Sequence, residues 1–235
     1  LRFARSASAP LSPDIHRKFE DRFNLPIIET MGLTETGSQI STNPLPPKTR
    51  KIGSPGKAHG NNLMIGNDLN EEVTRGTTGE ILVQGDNVMK GYFKQPDETA
   101  KTITKEGWLK TGDLGYMDED GYIFVTGRIK ELIIKGGENI APREIDEALL
   151  DHDSVLEAAA FAVPCQNYGE RVEACIIKRE NIKLDLKHLH EHCIKNIGKF
   201  KSPDKIHVMQ DLPKGPSGKI QRLKLYNLLY PKASI

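Results

Sequence analysis

Val125-Thr126-Gly127-Arg128-Ile129-Lys130, followed by Ile133-Ile134-Lys135-Gly136-Gly137-Glu138-Asn139-Ile140, marks where one kind of chain gives way to another. Upstream, short apolar runs alternate with turn-rich stretches at a spacing that predicts a small β-barrel or a distorted sheet. The strand candidates there are Leu25–Glu29, Leu63–Ile65, Glu80–Gln84, Asp113–Met117 and Tyr122–Val125. Asp118-Glu119-Asp120-Gly121 reads as the hairpin turn between the last two, with Gly121 suited to a positive φ. Ser12-Pro13-Asp14 predicts a helix start, with a cap, a first-turn proline and a dipole-compatible acid, and the helix runs to about Phe23. Asn43–Gly60 is read as loop and Asp97–Ile103 as a helical turn. Downstream the pattern is mixed α+β. A strand is expected at Glu131–Ile134, a helix from Pro142 to about Leu150, and β-rich runs at Val155–Val163 and Val172–Ile177. Asp185 caps a helix that places Leu186, Leu189, Cys193 and Ile197 on one face. A strand at Ile206–Met209 and a helix over Ile220–Leu229 complete the reading. The expectation is an α+β chain in two parts, residues 1–129 and 130–235.

The bulk properties narrow the function classes. A chain of 235 residues is long enough for one or two domains with a core. The formal net charge of +1 offers no broad basic face for a nucleic acid or an anionic membrane. Cys165, Cys175 and Cys193 form no CxxC pair and are odd in number, which argues against a disulfide scaffold and fits a reducing cytoplasm. No apolar run approaches the roughly 18 residues of an integral membrane segment. The terminal Ala233-Ser234-Ile235 is not a peroxisomal address. Leu1–Pro10 carries arginine and serine without an acid, as a transit peptide does, whereas the resemblance of Ser8-Ala9-Pro10-Leu11 to a known family's internal stretch implies that an upstream part is missing.

Several short segments carry chemistry. In Met31-Gly32-Leu33-Thr34-Glu35-Thr36-Gly37, the glycines let a ligand approach the backbone. A threonine hydroxyl there can donate to a phosphate oxygen, and the adjoining carboxylate can hold Mg²⁺. The plainer alternative is a solvated turn. In Trp108-Leu109-Lys110-Thr111-Gly112-Asp113, an ionised Asp113 is acceptor-only and can serve two neighbouring hydroxyls, as in a ribose diol. The planar guanidinium of Arg128 can bridge sugar hydroxyls and phosphate. Gly136-Gly137 after an apolar strand reads as a hairpin turn. Pro213-Lys214-Gly215-Pro216-Ser217-Gly218-Lys219-Ile220-Gln221-Arg222 presents Lys219 between a Gly/Pro/Ser-rich turn and a helix start. An ammonium so placed can bridge a carboxylate and a phosphate where charge develops. His188 and His192 are four apart and share a helix face, but other metal ligands are not evident, so a solvated face is the reading.

Taken in this order, these segments resemble the adenylate-forming superfamily: acyl-CoA synthetases, luciferases and peptide-synthetase adenylation domains. The resemblance implies that Gly32, Thr34, Asp113, Arg128 and Lys219 bind the nucleotide and that Glu35 binds Mg²⁺. It makes Lys219, with Thr34 and Glu35, catalytic for adenylation. It places Lys130 at a hinge and Gly136 and Gly137 along the path of CoA. The family's Tyr-Gly-x-Thr-Glu motif is met at Gly32, Thr34 and Glu35, with Met31 replacing the tyrosine. Residues 1–129 then correspond to the C-terminal part of a large AMP-binding domain and 130–235 to the small C-terminal domain. The implied reaction joins a small carboxylic acid to CoA at the expense of ATP, with Mg²⁺, through an acyl-adenylate. The Ser/Thr/Gly-rich phosphate loop of the family is absent: Gly76-Thr77-Thr78-Gly79 lacks the following Pro-Lys and is read as a turn. This fragment alone is therefore expected to be inactive. Ser41-Thr42-Asn43-Pro44-Leu45-Pro46 is similar to the oxalate-CoA ligase branch. Loading of a carrier-protein thiol, luciferase-like oxidation of the adenylate and a non-catalytic stand-alone fragment stay open as alternatives.

Overall fold

In the computed structural model the described residues are 1–216 and 218–231. Ser217 of the lysine-bearing turn and the terminal Ala233-Ser234-Ile235 lie outside them. The chain divides into two compact units, Leu1–Ile129 and Lys130–Ile235.

In the first unit, β1 (Ala4–Ser6) lies parallel to β2 (Ile27–Leu33), and α1 (Pro13–Phe23) makes the connection. Pro13 is at the helix start, and Asn24 ends the helix in the left-handed conformation, φ 46°. Only one side chain of α1, His16, is buried. Its ring meets Glu29 at 2.9 Å and Glu20 at 3.0 Å. Burial alone would raise the Glu20 carboxyl, but Arg50, the Ile27 amide and His16 overcome it and hold the group at about 2. β3 (Ser38–Thr42) and β4 (Lys57–Ala58) complete a four-stranded sheet in the order β1-β2-β3-β4. A second sheet is an antiparallel meander of β5 (Asn62–Gly66), β6 (Gly79–Gln84), β7 (Leu109–Met117) and β8 (Ile123–Arg128). α2 (Pro96–Thr102) lies between β6 and β7 in sequence. Gly121 takes φ 82° in the β7–β8 turn, as the hairpin reading requires. A bridge between Gly56 and Ile123 joins the region of β4 to β8. Of the two expectations for this half, the distorted sheet describes the topology.

Two apolar clusters fill the unit, one around Ile65, Ile81, Met117 and Ile123 and one around Ile40, Val83 and Leu109. Met31 packs against both. Two sequence expectations are corrected here. The strand candidate Leu25–Glu29, expected to end at Gly32, is Ile27–Leu33, because Gly32 and Leu33 still pair with β3. The expected long loop 43–60 contains the two-residue strand β4.

In the second unit, β9 (Ile133–Lys135) and β10 (Glu138–Ile140) form a tight hairpin, and α3 (Pro142–Leu150) follows. β11 (Val155–Cys165) and β12 (Gly169–Lys178) form the long central hairpin. α4 (Leu186–Lys201) begins at Asp185, whose carboxylate accepts from the amides of Lys187 and His188. β13 (Lys205–Val208) then pairs parallel with β12, and α5 (Leu225–Leu229) is the last helix among the described residues. The sheet runs β10-β9-β12-β11, with β13 also on β12.

The β11–β12 hairpin is buried on both faces, which explains its nearly continuous apolar runs. Ala158, Ala160, Val172, Ala174 and Ile176 pack with Ile145, Leu149, Leu189 and Cys193 of α3 and α4. Ala159, Phe161, Val163 and Cys175 face the other way, onto Leu212 and Leu225. All three cysteines are free thiols. Burial pushes Cys175 up to about 12 and Cys193 up to about 11, so both are packing residues. Leu186, expected on the apolar face of α4, is exposed. Among the described residues, no helix is long and apolar enough to cross a membrane.

The last helix begins later than the sequence suggests. Ile220 pairs in an isolated bridge with Lys214, a 3₁₀ turn covers Arg222–Lys224, and the α-helix starts only at Leu225. Lys219 is therefore not at a helix start.

Candidate active site

Thr34, Glu35 and Thr36 form a single 3₁₀ turn at the end of β2. Thr36 holds the turn from inside: its hydroxyl accepts from the Leu33 amide and lies within donating distance of the Leu33 and Ser38 carbonyls, sharing its one hydrogen between them. Thr34 is left exposed. The Glu35 carbonyl accepts from the Met89 amide at 2.8 Å, and its carboxylate accepts from the Tyr92 hydroxyl at 3.0 Å. Burial and the neighbouring Glu35 carboxylate push the Tyr92 phenol up, so it stays protonated as a donor. Tyr92 was not picked out in the sequence, because nothing local ties residue 92 to residue 35. Gly32 has a different reason from the one expected: a Cβ there would sit 2.0 Å from the Ser38 carbonyl oxygen. The neighbouring strand by itself excludes a side chain.

Asp113 is placed by a local distortion of β7. Gly112 takes φ 71°, and its amide donates to Glu80 at 2.8 Å. The Thr111 hydroxyl donates to the Ile81 carbonyl and accepts from the Asp113 amide. The nearly buried Asp113 carboxylate then meets Arg128 of β8 across the strand pair, Nε to Oδ1 at 2.8 Å. The guanidinium is half exposed, 52% for the side chain. The fold thus brings together two residues that are 15 apart in sequence and orients the arginine with one carboxylate oxygen.

Lys130 lies exposed in a 3₁₀ turn, Ile129–Glu131. Gly136 and Gly137 are the two central residues of the β9–β10 turn, with φ of 59° and 85°. Two consecutive left-handed residues define a type I′ hairpin, which glycine adopts without strain. The Gly136 amide donates to the Tyr168 carbonyl at 2.8 Å. A Cβ on Gly136 would lie 3.3 Å from the Tyr168 ring and 3.7 Å from that of Phe200. Lys135 beneath the turn is buried, and its ammonium donates to the Phe200 carbonyl at 2.9 Å and pairs with Asp204 at 3.3 Å.

Lys219 belongs to a small closed loop. The Gly215 amide donates to the Lys219 carbonyl at 2.8 Å, the Gln221 amide to the Pro213 carbonyl at 2.7 Å, and Gly218 takes φ 78°. Lys214, on the other side of the loop, is engaged by Glu157 at 2.8 Å. The Lys219 side chain is exposed, and no hydrogen bond or ion pair engages it among the described residues.

Two motifs do something else. In Ser41-Thr42-Asn43-Pro44-Leu45-Pro46, Asn43 is buried, donates to the Ser54 carbonyl and accepts from the Lys51 amide at 3.0 Å. The segment therefore fastens a loop. His188 and His192 do not stand on a purely solvated face. His152, from the turn after α3, is 3.0 Å from His188 and edge-on to His192, with ring centroids 5.3 Å apart. Among the described residues no cluster of three or more His, Cys, Asp or Glu side chains is arranged to hold a metal ion.

Two family models match the chain, the AMP-binding enzyme over residues 1–93 and the AMP-binding enzyme C-terminal domain over 144–219, together more than half of its length. The chain belongs to the adenylate-forming, AMP-binding enzymes. Within this family, the sulfoacetate–CoA ligase of Cupriavidus necator is 52% identical over 97% of this chain and 45% of that protein. The oxalate–CoA ligase of Arabidopsis thaliana is 43% identical over 94% of this chain and 43% of that protein. The ATP-bound structure of MatB from Rhodopseudomonas palustris superposes with a TM-score of 0.91 at 33% identity, covering 97% of this chain and 46% of that one. The chain thus spans somewhat less than half the length of these relatives.

Proposed function

We propose that this chain is the C-terminal portion of an AMP-forming carboxylate–CoA ligase. Residues 1–129 are the end of its large AMP-binding domain, and 130–235 its small domain. The observation that carries the reading is the exposed ammonium of Lys219, without a partner among the described residues, on a loop whose backbone is closed by its own hydrogen bonds, while Lys214 and Lys135 in the same unit are paired. A free, exposed cation on a braced loop suits a transition state in which charge develops on a carboxylate and a phosphate.

In the first step a carboxylate oxygen attacks the α-phosphorus of ATP and pyrophosphate leaves, forming the acyl-adenylate. Lys219 stabilises the charge that moves between the two oxygens. Asp113, oriented by Arg128, accepts from the ribose hydroxyls, and the exposed half of the guanidinium reaches sugar or phosphate. The Thr34 hydroxyl donates to the α-phosphate. Glu35 and Thr34 supply only oxygen donors, which fits Mg²⁺ held jointly with phosphates rather than in a protein cage. When bound there, Mg²⁺ neutralises phosphate charge, and the Tyr92 hydroxyl keeps the Glu35 carboxylate turned. In the second step the CoA thiol attacks the acyl carbonyl, loses its proton, and AMP leaves. Lys130 is the pivot that exchanges the Lys219 loop for the Gly136–Gly137 turn, which lines the path of the thiol arm.

The acid is proposed to be small and to carry a second anionic group, as the names of the sulfoacetate and oxalate ligases suggest. Three free thiols, two of them buried, suit a cytoplasmic setting. The test is Lys219→Ala in the full-length enzyme. Acid-dependent pyrophosphate exchange is expected to fall by about 10²–10³. Thioester formation from supplied acyl-adenylate should stay near wild type. Equal losses in both steps would overturn the assignment of Lys219 to adenylation.

A further inference from the structure

Three residues beyond Lys219, Arg222 ends its side chain in the interior of the second unit. It is 12% exposed. Its guanidinium is shared among three partners: Asp146 of α3 at 2.6 Å, Glu131 at 3.2 Å, and the Ala160 carbonyl of β11. Asp146 also accepts from the Ala160 amide at 2.6 Å. Burial pushes the Asp146 carboxyl up, while Arg222 and this amide act against it. Glu131 is the residue next to Lys130 and sits in the same 3₁₀ turn. The other stem of the loop is tied to β11 as well, through Lys214 and Glu157. The lysine loop is thus pinned to one strand at both ends. The Arg222 end is the buried one, and it alone also reaches the turn that contains Lys130.

We propose that Arg222 is the positioning residue for Lys219: its buried fork onto Asp146, Ala160 and Glu131 sets where the lysine loop stands relative to the Lys130 turn. This rests on the reading of Lys219 as the adenylation lysine. The physical reason is leverage. A flexible four-carbon side chain reaches a fixed point only if its backbone is fixed, and a displacement of about 1 Å at a distance from the chemistry can cost about 10² in rate. Only a guanidinium can serve the three partners at once. An ammonium is a point donor without the planar fork. The guanidinium is taken up by protein groups inside the unit, so it acts through the loop that carries Lys219.

The experiment is a double-mutant cycle in the full-length enzyme, read separately for pyrophosphate exchange and for thioester formation from supplied acyl-adenylate. Arg222→Ala should lower exchange by about 10² and spare the second step. In a Lys219→Ala background, adding Arg222→Ala should lower exchange little further, because a residue that acts through another has nothing left to act on. Arg222→Lys should fall between. Since removing Arg222 leaves Asp146 buried without its cation, Glu131→Gln is the second variant. It leaves that pair intact and should show a smaller loss with the same selectivity and the same disappearance beside Lys219→Ala. Losses that multiply in the double variant, or that strike both steps equally, overturn the proposal. If Lys219→Ala lowers exchange but neither Arg222→Ala nor Glu131→Gln does, the Arg222 assignment alone falls. If Lys219→Ala leaves exchange intact, the Lys219 reading falls and takes this one with it.

Discussion

The Gly136–Gly137 turn and the Lys214–Ile220 loop both reverse the chain in the second unit through an antiparallel contact, yet they are held in different ways. The turn is built from its own backbone. Two successive left-handed glycines dictate its shape, and one buried ammonium, Lys135, fastens it from below. The loop is also closed by backbone hydrogen bonds, but its position is set by ion pairs at its stems, one exposed and one buried. A turn of the first sort keeps its form wherever it is carried. A loop of the second sort is only as well placed as the charges beneath it. The two proposed roles match: a passage for a narrow thiol arm needs shape, whereas a catalytic cation needs position.

The largest effect that would sharpen this contrast is expected from Gly137→Leu. At φ 85° a leucine is strained by about 1–3 kcal/mol. Melting should therefore drop, and CoA-dependent turnover of the full-length enzyme should fall at least tenfold on the proximity argument for a blocked path (an order-of-magnitude figure, about 10). Pyrophosphate exchange should stay near wild type. Gly137→Asn, which tolerates the left-handed region better, separates strain from obstruction: it should restore most of the melting temperature but not the turnover. A leucine variant that melts and turns over normally would reduce the hairpin to an ordinary turn and favour the carrier-protein alternative.

Next in size is Lys135→Met. It removes the buried ammonium from the part-buried Phe200 carbonyl and from the half-exposed Asp204, and the loss of a charged hydrogen bond predicts a drop of about 1–3 kcal/mol in denaturant unfolding. The smallest effect belongs to Lys214→Met. The Lys214–Glu157 pair is about one-third exposed on both sides and lies at the surface, where such pairs contribute about 0–1 kcal/mol. If the two lysine variants proved equally damaging, the distinction between the buried fastening of the turn and the exposed stem of the loop would collapse.

Much of the second unit was legible in the sequence because its signals are local. Pro142 starts a helix through a fixed φ and a missing donor. Asp185 caps α4 through amides two and three residues away. The β11–β12 hairpin announces itself by apolar runs that must be covered on both faces. The errors came where distant residues decide. Ile220 looks helical from its neighbours but pairs with Lys214, and Arg222 is drawn inward by Asp146, so the last helix is delayed to Leu225. His152 is 36 residues from His188 and could not be placed beside it by spacing. The burial of Lys135 depends on the Phe200 carbonyl, 65 residues away, and no local signal announces it.

By itself the sequence determined the residue types on which the chemistry rests: a Thr-Glu pair, an aspartate after a glycine, an arginine at a strand end, a Gly-Gly turn and a lysine in a glycine-rich loop. It also determined the backbone freedom at Gly136 and Gly137, because a left-handed pair is a property of the glycines themselves. Tertiary structure alone decided which charges are spent and which are free. Asp113 meets Arg128 only because β7 pairs with β8 in that register. Glu35 gains Tyr92 only because a segment 57 residues away folds against it. Among the described residues Lys219 has no partner, while Lys214 and Lys135 are taken. Charge pairing depends on distance and burial in three dimensions, and neither is a property of any short stretch of chain.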